Sequence, residues 1–361
     1  VKKKAMMVGM LMVSLSGIAK NVIDVHGEQG VAANQIIQKY GADIGRAIDD
    51  AFKNYMTVLV NDKKSGQSAS SSPHHSKQYF IDHIKKEGGY AFVDIQTTVY
   101  PDDKNIYSTI EVIKKNQPSR LRFVQHASQK EQSLGLKKKR SNKPDLIDQR
   151  LAFDKLEFQL IQSNQIDLKV GTCPVFHCVT NYTHPKLKPY LTLFNQGAVK
   201  ERQFILATLN KDPDPNRRAA AAFLVGHFKD PKEIIAVLTP HINDPAESVR
   251  NNVMRVIGTT LMLAKLQADP VDPYLEILNS PYGTDRNKAL NIILESAGSP
   301  KANQAIIDHG GDYLISLLRL KQPNNHEPAY YILKKVSGKN FGEHDIVAWQ
   351  RWLNSARSKN A

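Results

Sequence analysis

Asp212-Pro213-Asp214-Pro215-Asn216-Arg217-Arg218 and Asp244-Pro245-Ala246-Glu247-Ser248-Val249-Arg250 are the stretches whose reading decides the fold. The leading Asp and the closing Arg recur at an offset of 32 residues, and Gly226 and Gly258 keep the same offset. A third copy reads Ser280-Pro281-Tyr282-Gly283-Thr284-Asp285-Arg286, and a fourth reads Gln322-Pro323-Asn324-Asn325-His326-Glu327-Pro328. Each precedes an apolar helical stretch: Ala219–Phe228, Asn251–Leu266, Asn287–Ser296 and Ala329–Val336. Second helices are expected between them, at Lys232–Ile242, Tyr274–Leu278 and Tyr313–Leu320. Internal periods of this length mark repeat architectures. An Asp or Ser at a helix start accepts hydrogen bonds from free backbone N–H groups, and Pro suits the first turn because its missing N–H is not needed there. The repeated Arg is placed to reach an acidic group of the adjacent unit. The turn residues Asp212, Arg218, Asp244, Arg250 and Arg286 are therefore expected to form a ladder across stacked units. Each pair exposes an apolar face that only its neighbours cover, which predicts a solenoid.

These residues resemble HEAT repeats. The shared features are the Asp-Pro turn, the Val249-Arg250 pair, the Ala-rich Ala219–Ala222 stretch and the period, over roughly residues 200–340. The tail Leu333–Gly342 with Trp349 and Trp352, and the segment Cys173–His184, resemble exported bacterial HEAT-repeat proteins of unassigned function. The third unit departs in lacking Asp at its turn start, and the fourth has Pro328 where Arg is expected. The resemblance implies a binding scaffold with no chemistry of its own. It also implies that the helix after each turn lines the concave side, presenting Asn252, Arg255, Lys288 and Asn291.

The N-terminal half reads differently. Val1-Lys2-Lys3-Lys4, an apolar stretch from Ala5 to about Leu15, and small residues at Gly17 and Ala19 predict a secretory signal peptide over 1–19, cleaved near Ala19. The mature chain is then periplasmic or secreted from a bacterium. Residues 20–125 are expected to form a small α+β region. Ile36, Ile37, Tyr40, Ile44, Ile48, Phe52 and Met56 stand at helical spacing, with Gly41 at a break. A Ser-rich loop over 61–76, including His74 and His75, follows, and then a helix over Lys77–Lys86 ending at Gly88-Gly89. Tyr90–Tyr100 and Ile106–Ile113 read as strands, and Arg120–Gln125 as a third strand of an antiparallel sheet. A basic linker over 126–144 carries Lys137-Lys138-Lys139-Arg140. Residues 145–194 supply a connecting segment, with Asp145 capping a helix to about Ser163 and with a loop containing Cys173 and Cys178. Residues 195–361 hold the repeats and a C-terminal cap. The expected fold is thus mostly α, a HEAT-like α-solenoid behind a small α+β region.

Export favours a Cys173–Cys178 disulfide. Free thiols are the alternative, as is a metal site in which His177 and His184 join two thiolates, although the spacing matches no common zinc pattern. Neither metal nor cofactor is expected. The chain lacks Gly-x-Ser-x-Gly, His-Glu-x-x-His and Walker motifs, and Glu343-His344-Asp345 reads as a helix start rather than a catalytic trio. The 361 residues allow two or three domains at about 150 residues each. A net charge of +14, from 49 Lys+Arg against 35 Asp+Glu, fits an anionic partner. The sequence points to a non-enzymatic scaffold binding a protein. A nucleic-acid or other polyanion binder with a basic concave face is the alternative, as is a secreted hydrolase with its site in the N-terminal region.

Overall fold

The computed structural model describes residues 20–60, 76–100, 103–131, 144–166 and 173–358. The expected signal peptide, the Ser-rich loop up to residue 75 and the Lys137–Arg140 run lie outside the described residues. The described chain is mostly helical with one three-stranded sheet, and none of its helices is long and apolar enough to cross a membrane. It divides into two compact units. The sheet unit takes the described residues up to Arg122 together with Leu320–His326, and the helical unit takes those of Phe123–Arg319 and Glu327–Ala361.

In the sheet unit, strand β1 (Asn21–His26) leads into α1 (Gly30–Val60), α2 (Lys77–Gly88), β2 (Phe92–Val99) and β3 (Ile106–Ile113). Gly41 does not break α1, which is one continuous helix. Ser76 caps α2 by accepting from Tyr79 N at 3.1 Å, and Gly89 ends it at φ +64°, a conformation that costs glycine no Cβ clash. The sheet order is β1-β3-β2, with β1 parallel and β2 antiparallel to β3. Two expectations are corrected here. The sheet is mixed rather than antiparallel, and Arg120–Gln125 is helical, within α3 (Pro118–Glu131). Pro118 opens that helix, where its missing N–H costs nothing. Helix α3 also takes in the first residues of the expected 126–144 linker.

The sheet's third strand comes instead from residues just after the expected signal peptide. Its alternation is disguised because its buried side chains are Asp24 and His26. Ile23 and Val25 pack with Val93, Ile95, Ile110 and Val112 against Ile36, Tyr40, Phe80 and Ile84 of α1 and α2. On β3 the intervening Glu111 is also fully buried. Its Oε2 lies 2.8 Å from His26 Nδ1 and accepts from Arg120 Nη2 at 3.1 Å, while Arg120 Nη1 donates to Val112 O at 2.9 Å. Lys321 N donates to the buried Asp24 carboxylate at 2.6 Å, and Gln322 Nε2 donates to Thr98 Oγ1 at 3.0 Å. These contacts explain why Leu320–His326 group with the sheet.

In the helical unit, α4 (Leu146–Gln162) begins at a capping box. Asp145 accepts from Asp148 N at 2.9 Å and Asp148 accepts from Asp145 N at 3.2 Å. Then come α5 (Lys188–Lys200), α6 (Arg202–Lys211), α7 (Pro215–Val225), α8 (Pro231–Leu238), α9 (Glu247–Ala264), α10 (Asp272–Ile277) and α11 (Gly283–Ser296). Helices α12 (Pro300–Ala305), α13 (Gly311–Leu318), α14 (Pro323–Ser337) and α15 (Ile346–Ser358) complete the chain. Asp345 accepts from Ala348 N at 3.0 Å at the start of α15. Helix α7 packs on α9 and α9 on α11, while α8 and α10 pack beside α9 and α11 respectively.

The repeated turns share one geometry. Asp212 Oδ1 accepts from Asp214 N at 2.9 Å, Asp244 Oδ1 from Ala246 N at 2.9 Å, and Ser280 Oγ from Tyr282 N at 3.1 Å. These side chains do not cap helices as the sequence suggested. They close a two-residue turn that precedes the helix, as short polar side chains do when bonding the backbone two residues on. Asp214 is the true cap of α7.

Candidate binding strip on the repeat helices

Each repeated Arg bonds back to its own turn, and Arg218 and Arg250 also reach forward. Arg218 Nη1 donates to Asp212 O at 2.9 Å, Arg250 Nη1 to Asp244 O at 2.9 Å, and Arg286 Nη1 to Ser280 O at 2.8 Å. The other edge of Arg218 grips Asp244 through two bonds, Nε to Oδ2 at 2.9 Å and Nη2 to Oδ1 at 2.8 Å. Arg250 reaches Asp285 instead, its Nε donating to Oδ2 at 2.9 Å. The third unit thus carries its carboxylate beside its own Arg rather than at the turn start, and Ser280 Oγ donates to the same Asp285 oxygen at 2.7 Å. Neighbouring Arg217 joins Asp212 and the capping-box residues Asp145 and Asp148. These guanidiniums are enclosed, with Arg218 5% and Arg250 2% exposed.

The ladder fixes which helix faces remain available. Phe223 of α7, Arg255 of α9 and Asn291 of α11 occupy equivalent positions after the repeated Arg, as do Ala220, Asn252 and Lys288. At the α7 end this face is covered. Cys173 and Cys178 form a disulfide, and Phe176 N within that loop donates to Gly226 O at 3.1 Å. The His177 ring stacks on Phe223 with centroids 4.7 Å apart. The Arg150 guanidinium, from α4, sits over Phe223 at 4.9 Å and over Phe153 at 4.6 Å. Arg150 pairs with Asp154 at 2.6 Å, and Glu157 accepts from Thr180 N at 2.9 Å and from the Thr180 hydroxyl. Behind them, His227 Nε2 lies 3.3 Å from the Tyr182 hydroxyl and its Nδ1 lies 2.9 Å from Asn195 Oδ1.

Beyond this cover the strip is cationic. Lys288 is buried, and its Nζ donates to Asn287 Oδ1 at 2.7 Å, a neutral acceptor. Arg255 is half-buried, and its Nε is enclosed without a hydrogen-bond partner among the described residues. Neither forms an ion pair with a described residue. Burial and the nearby Arg255 push the Lys288 ammonium down to about 7. Burial lowers Arg255 as well, against a weaker pull upward from Glu157. Burial and the charges of Arg255, Arg150 and Lys288 push His177 well below its ordinary range, so its imidazole is neutral. His227 is driven to about 3 by burial and by Arg150. Burial raises Glu157 and Asp154 despite their partners, and carries Tyr182 up to about 12.

The residues read from the sequence as a binding face therefore divide. Arg255 and Lys288 act on one another. Asn252 is turned to a structural task, its Nδ2 donating to Ala219 O at 3.1 Å and tying α9 to α7. Asn291 stays half-buried on α11. Sequence reasoning missed Arg150, Glu157 and His227. The available signal was Leu146, Arg150, Phe153, Glu157 and Leu160, one helical stripe that is buried throughout and holds two charges. A charge on a buried stripe needs a partner from another element. The metal reading of the cysteine loop does not hold in this structure, because the sulfurs are joined to each other and His177 is stacked on Phe223.

The chain matches no family model, no curated protein and no solved structure.

Proposed function

We propose that this chain is an exported, non-enzymatic scaffold that binds a protein partner along HEAT-like helical pairs. The binding face is the strip of Asn252, Arg255, Lys288 and Asn291. The observation that carries the reading is the pair of Arg–Asp rungs, Arg218–Asp244 and Arg250–Asp285, which join consecutive units and leave Arg255 and Lys288 without ion-pair partners among the described residues. Stacked units of this kind make extended binding surfaces. The half-buried Arg255 and the buried Lys288 beside it favour an acidic group on the partner. The Cys173–Cys178 disulfide supports export, since such bonds persist in oxidising compartments.

Site-specific photo-crosslinking tests this. A crosslinker at Asn291 is expected to capture one partner in the producing cell's envelope fraction, and a crosslinker at exposed Glu276 on α10 is not. Equal capture from both positions, or none from Asn291, counts against the reading. The net charge of +14 favours polyanion binding as the second reading. It requires affinity for DNA or heparin that falls steeply with salt.

A further inference from the structure

We infer that His177, Arg255 and Lys288 form an enclosed site for one small oxyanion, a carboxylate or phosphate group. The inference rests on the strip being the binding face and names the chemistry that the strip recognises.

Three donors from three elements lie on one face without ion-pair partners among the described residues: His177 is stacked on Phe223 of α7, and Arg255 of α9 and Lys288 of α11 stand at the positions equivalent to Phe223 and Ala220 of α7. His177 is 7% exposed, and its Nε2 has no hydrogen-bond partner among the described residues. The disulfide loop holds it there, anchored by the Phe176–Gly226 bond and the stack on Phe223. Arg255 approaches from α9 with an unbonded Nε, and Lys288 from α11 with only the Asn287 amide oxygen. The acids nearby are already engaged, Glu157 by Thr180 and Asp154 by Arg150. Among the described residues named here, Arg150, Arg255 and Lys288 outnumber Asp154 and Glu157 by one. A buried cation without a partner is strongly unfavourable, and so is a buried donor left unbonded. An oxyanion resolves both, because it brings negative charge and several lone pairs to donors in place. Arg suits such groups through its planar fork, while Lys and a neutral imidazole N–H add single donors. Arg255 retains solvent-accessible surface, which gives a small ligand a route in.

The geometry carries an expected pH dependence. The charged and titratable groups facing Lys288 are Arg255 from α9 and His177 from the cysteine loop, and Glu157 of α4 faces Arg255. With Lys288 near 7 in the free protein, a bound anion draws a proton onto it. Affinity is then greatest below pH 7 and falls by up to about tenfold per pH unit above it.

The test is isothermal titration calorimetry of the full chain with sulfate, a non-titrating stand-in for phosphate, and with succinate. Saturable binding of one anion per chain is expected. R255Q and K288M are each expected to weaken it at least tenfold, and the exposed-lysine variant K301M is expected to leave it unchanged. K288M removes an unpaired buried charge, so loss of fold does not explain its effect. Preference for sulfate assigns the site to phosphate-type groups, and preference for succinate assigns it to carboxylates. No saturable binding of either anion at millimolar concentration, or binding untouched by both variants, overturns the inference. Asn291 crosslinks without anion binding overturn this inference alone. Anion binding without Asn291 crosslinks leaves it standing and removes the scaffold reading.

Discussion

Asp244→Asn is the sharpest test of how the repeats are joined. The Arg218–Asp244 rung is bidentate, and its side chains are 5% and 7% exposed. Asparagine keeps the shape of the side chain and the oxygen that accepts from Ala246 N, so the two-residue turn survives. What is lost is the charge opposite a buried guanidinium and the Oδ2 acceptor for Arg218 Nε, while Oδ1 and the Asp212 and Pro213 carbonyls remain. Removing one partner of a buried pair costs about 3–5 kcal/mol. The two remaining carbonyl bonds argue for the lower end, about 3 kcal/mol. That is a large share of the roughly 5–15 kcal/mol available to a folded domain. Urea unfolding followed by tryptophan fluorescence measures it, because both tryptophans, Trp349 and Trp352, lie on α15 in the helical unit. Asp269→Asn is the comparison. Its partner Lys301 lies at 2.6 Å but the side chains are 65% and 77% exposed, and exposed pairs contribute at most about 1 kcal/mol. In a double-mutant cycle with Arg218→Met, the two losses are expected to sum to more than the double variant loses. If D244N costs under about 1 kcal/mol, no more than an exposed pair, the rung is not what joins these units.

His227→Asn is expected to flatten the acid side of the stability profile. The folded value of about 3 lies below the ordinary 6.5, so between those limits the unfolded chain takes up a proton that the native protein refuses. Stability contributed by neutral His227 is complete above pH 6.5 and declines as the pH falls towards 3. Unfolding curves at pH 7 and pH 4.5 should therefore diverge less in the variant than in the native chain. Cys173→Ser with Cys178→Ser should cost about 2 kcal/mol, as expected for a short loop, and should weaken sulfate binding more than it lowers the unfolding midpoint, because the loop sets His177. Equal binding by reduced and oxidised protein would contradict that role. Gly27→Ala should destabilise the sheet unit severely. Its φ is +98°, and a Cβ there would stand 2.0 Å from Val112 O and 2.5 Å from Arg120 Nη1. Thermal unfolding of a well-folded G27A protein at the native midpoint would refute the close approach.

Local patterns were readable where their causes lie within a few residues. The Asp145 cap, the Ser76–Gly89 helix, the strands on either side of residues 101–105 and the positions of the repeated turns all depend on neighbouring backbone groups. Strand β1 was hidden because Asp24 and His26 occupy its buried face, and their partners Lys321 and Glu111 stand far away in sequence. The second rung is hidden in the sequence for a similar reason. The repeat pattern places Asp at the turn start, whereas Arg250 uses Asp285, on the first turn of α11. Arg255 and Lys288 were legible as a basic strip from helical spacing. Their enclosure, and the arrival of His177 beside them, were not.

From residue order alone followed the helical character of the carboxyl-terminal half, the period of its turns and the expectation that two close cysteines pair. Each depends on short-range spacing or on a composition that any chain states openly. Tertiary packing alone decided which acid answers each arginine, which cations are left unanswered and how far Lys288 and His227 are driven from their ordinary titration. Those outcomes depend on desolvation and on charges brought together from distant positions, and a linear sequence does not contain distances.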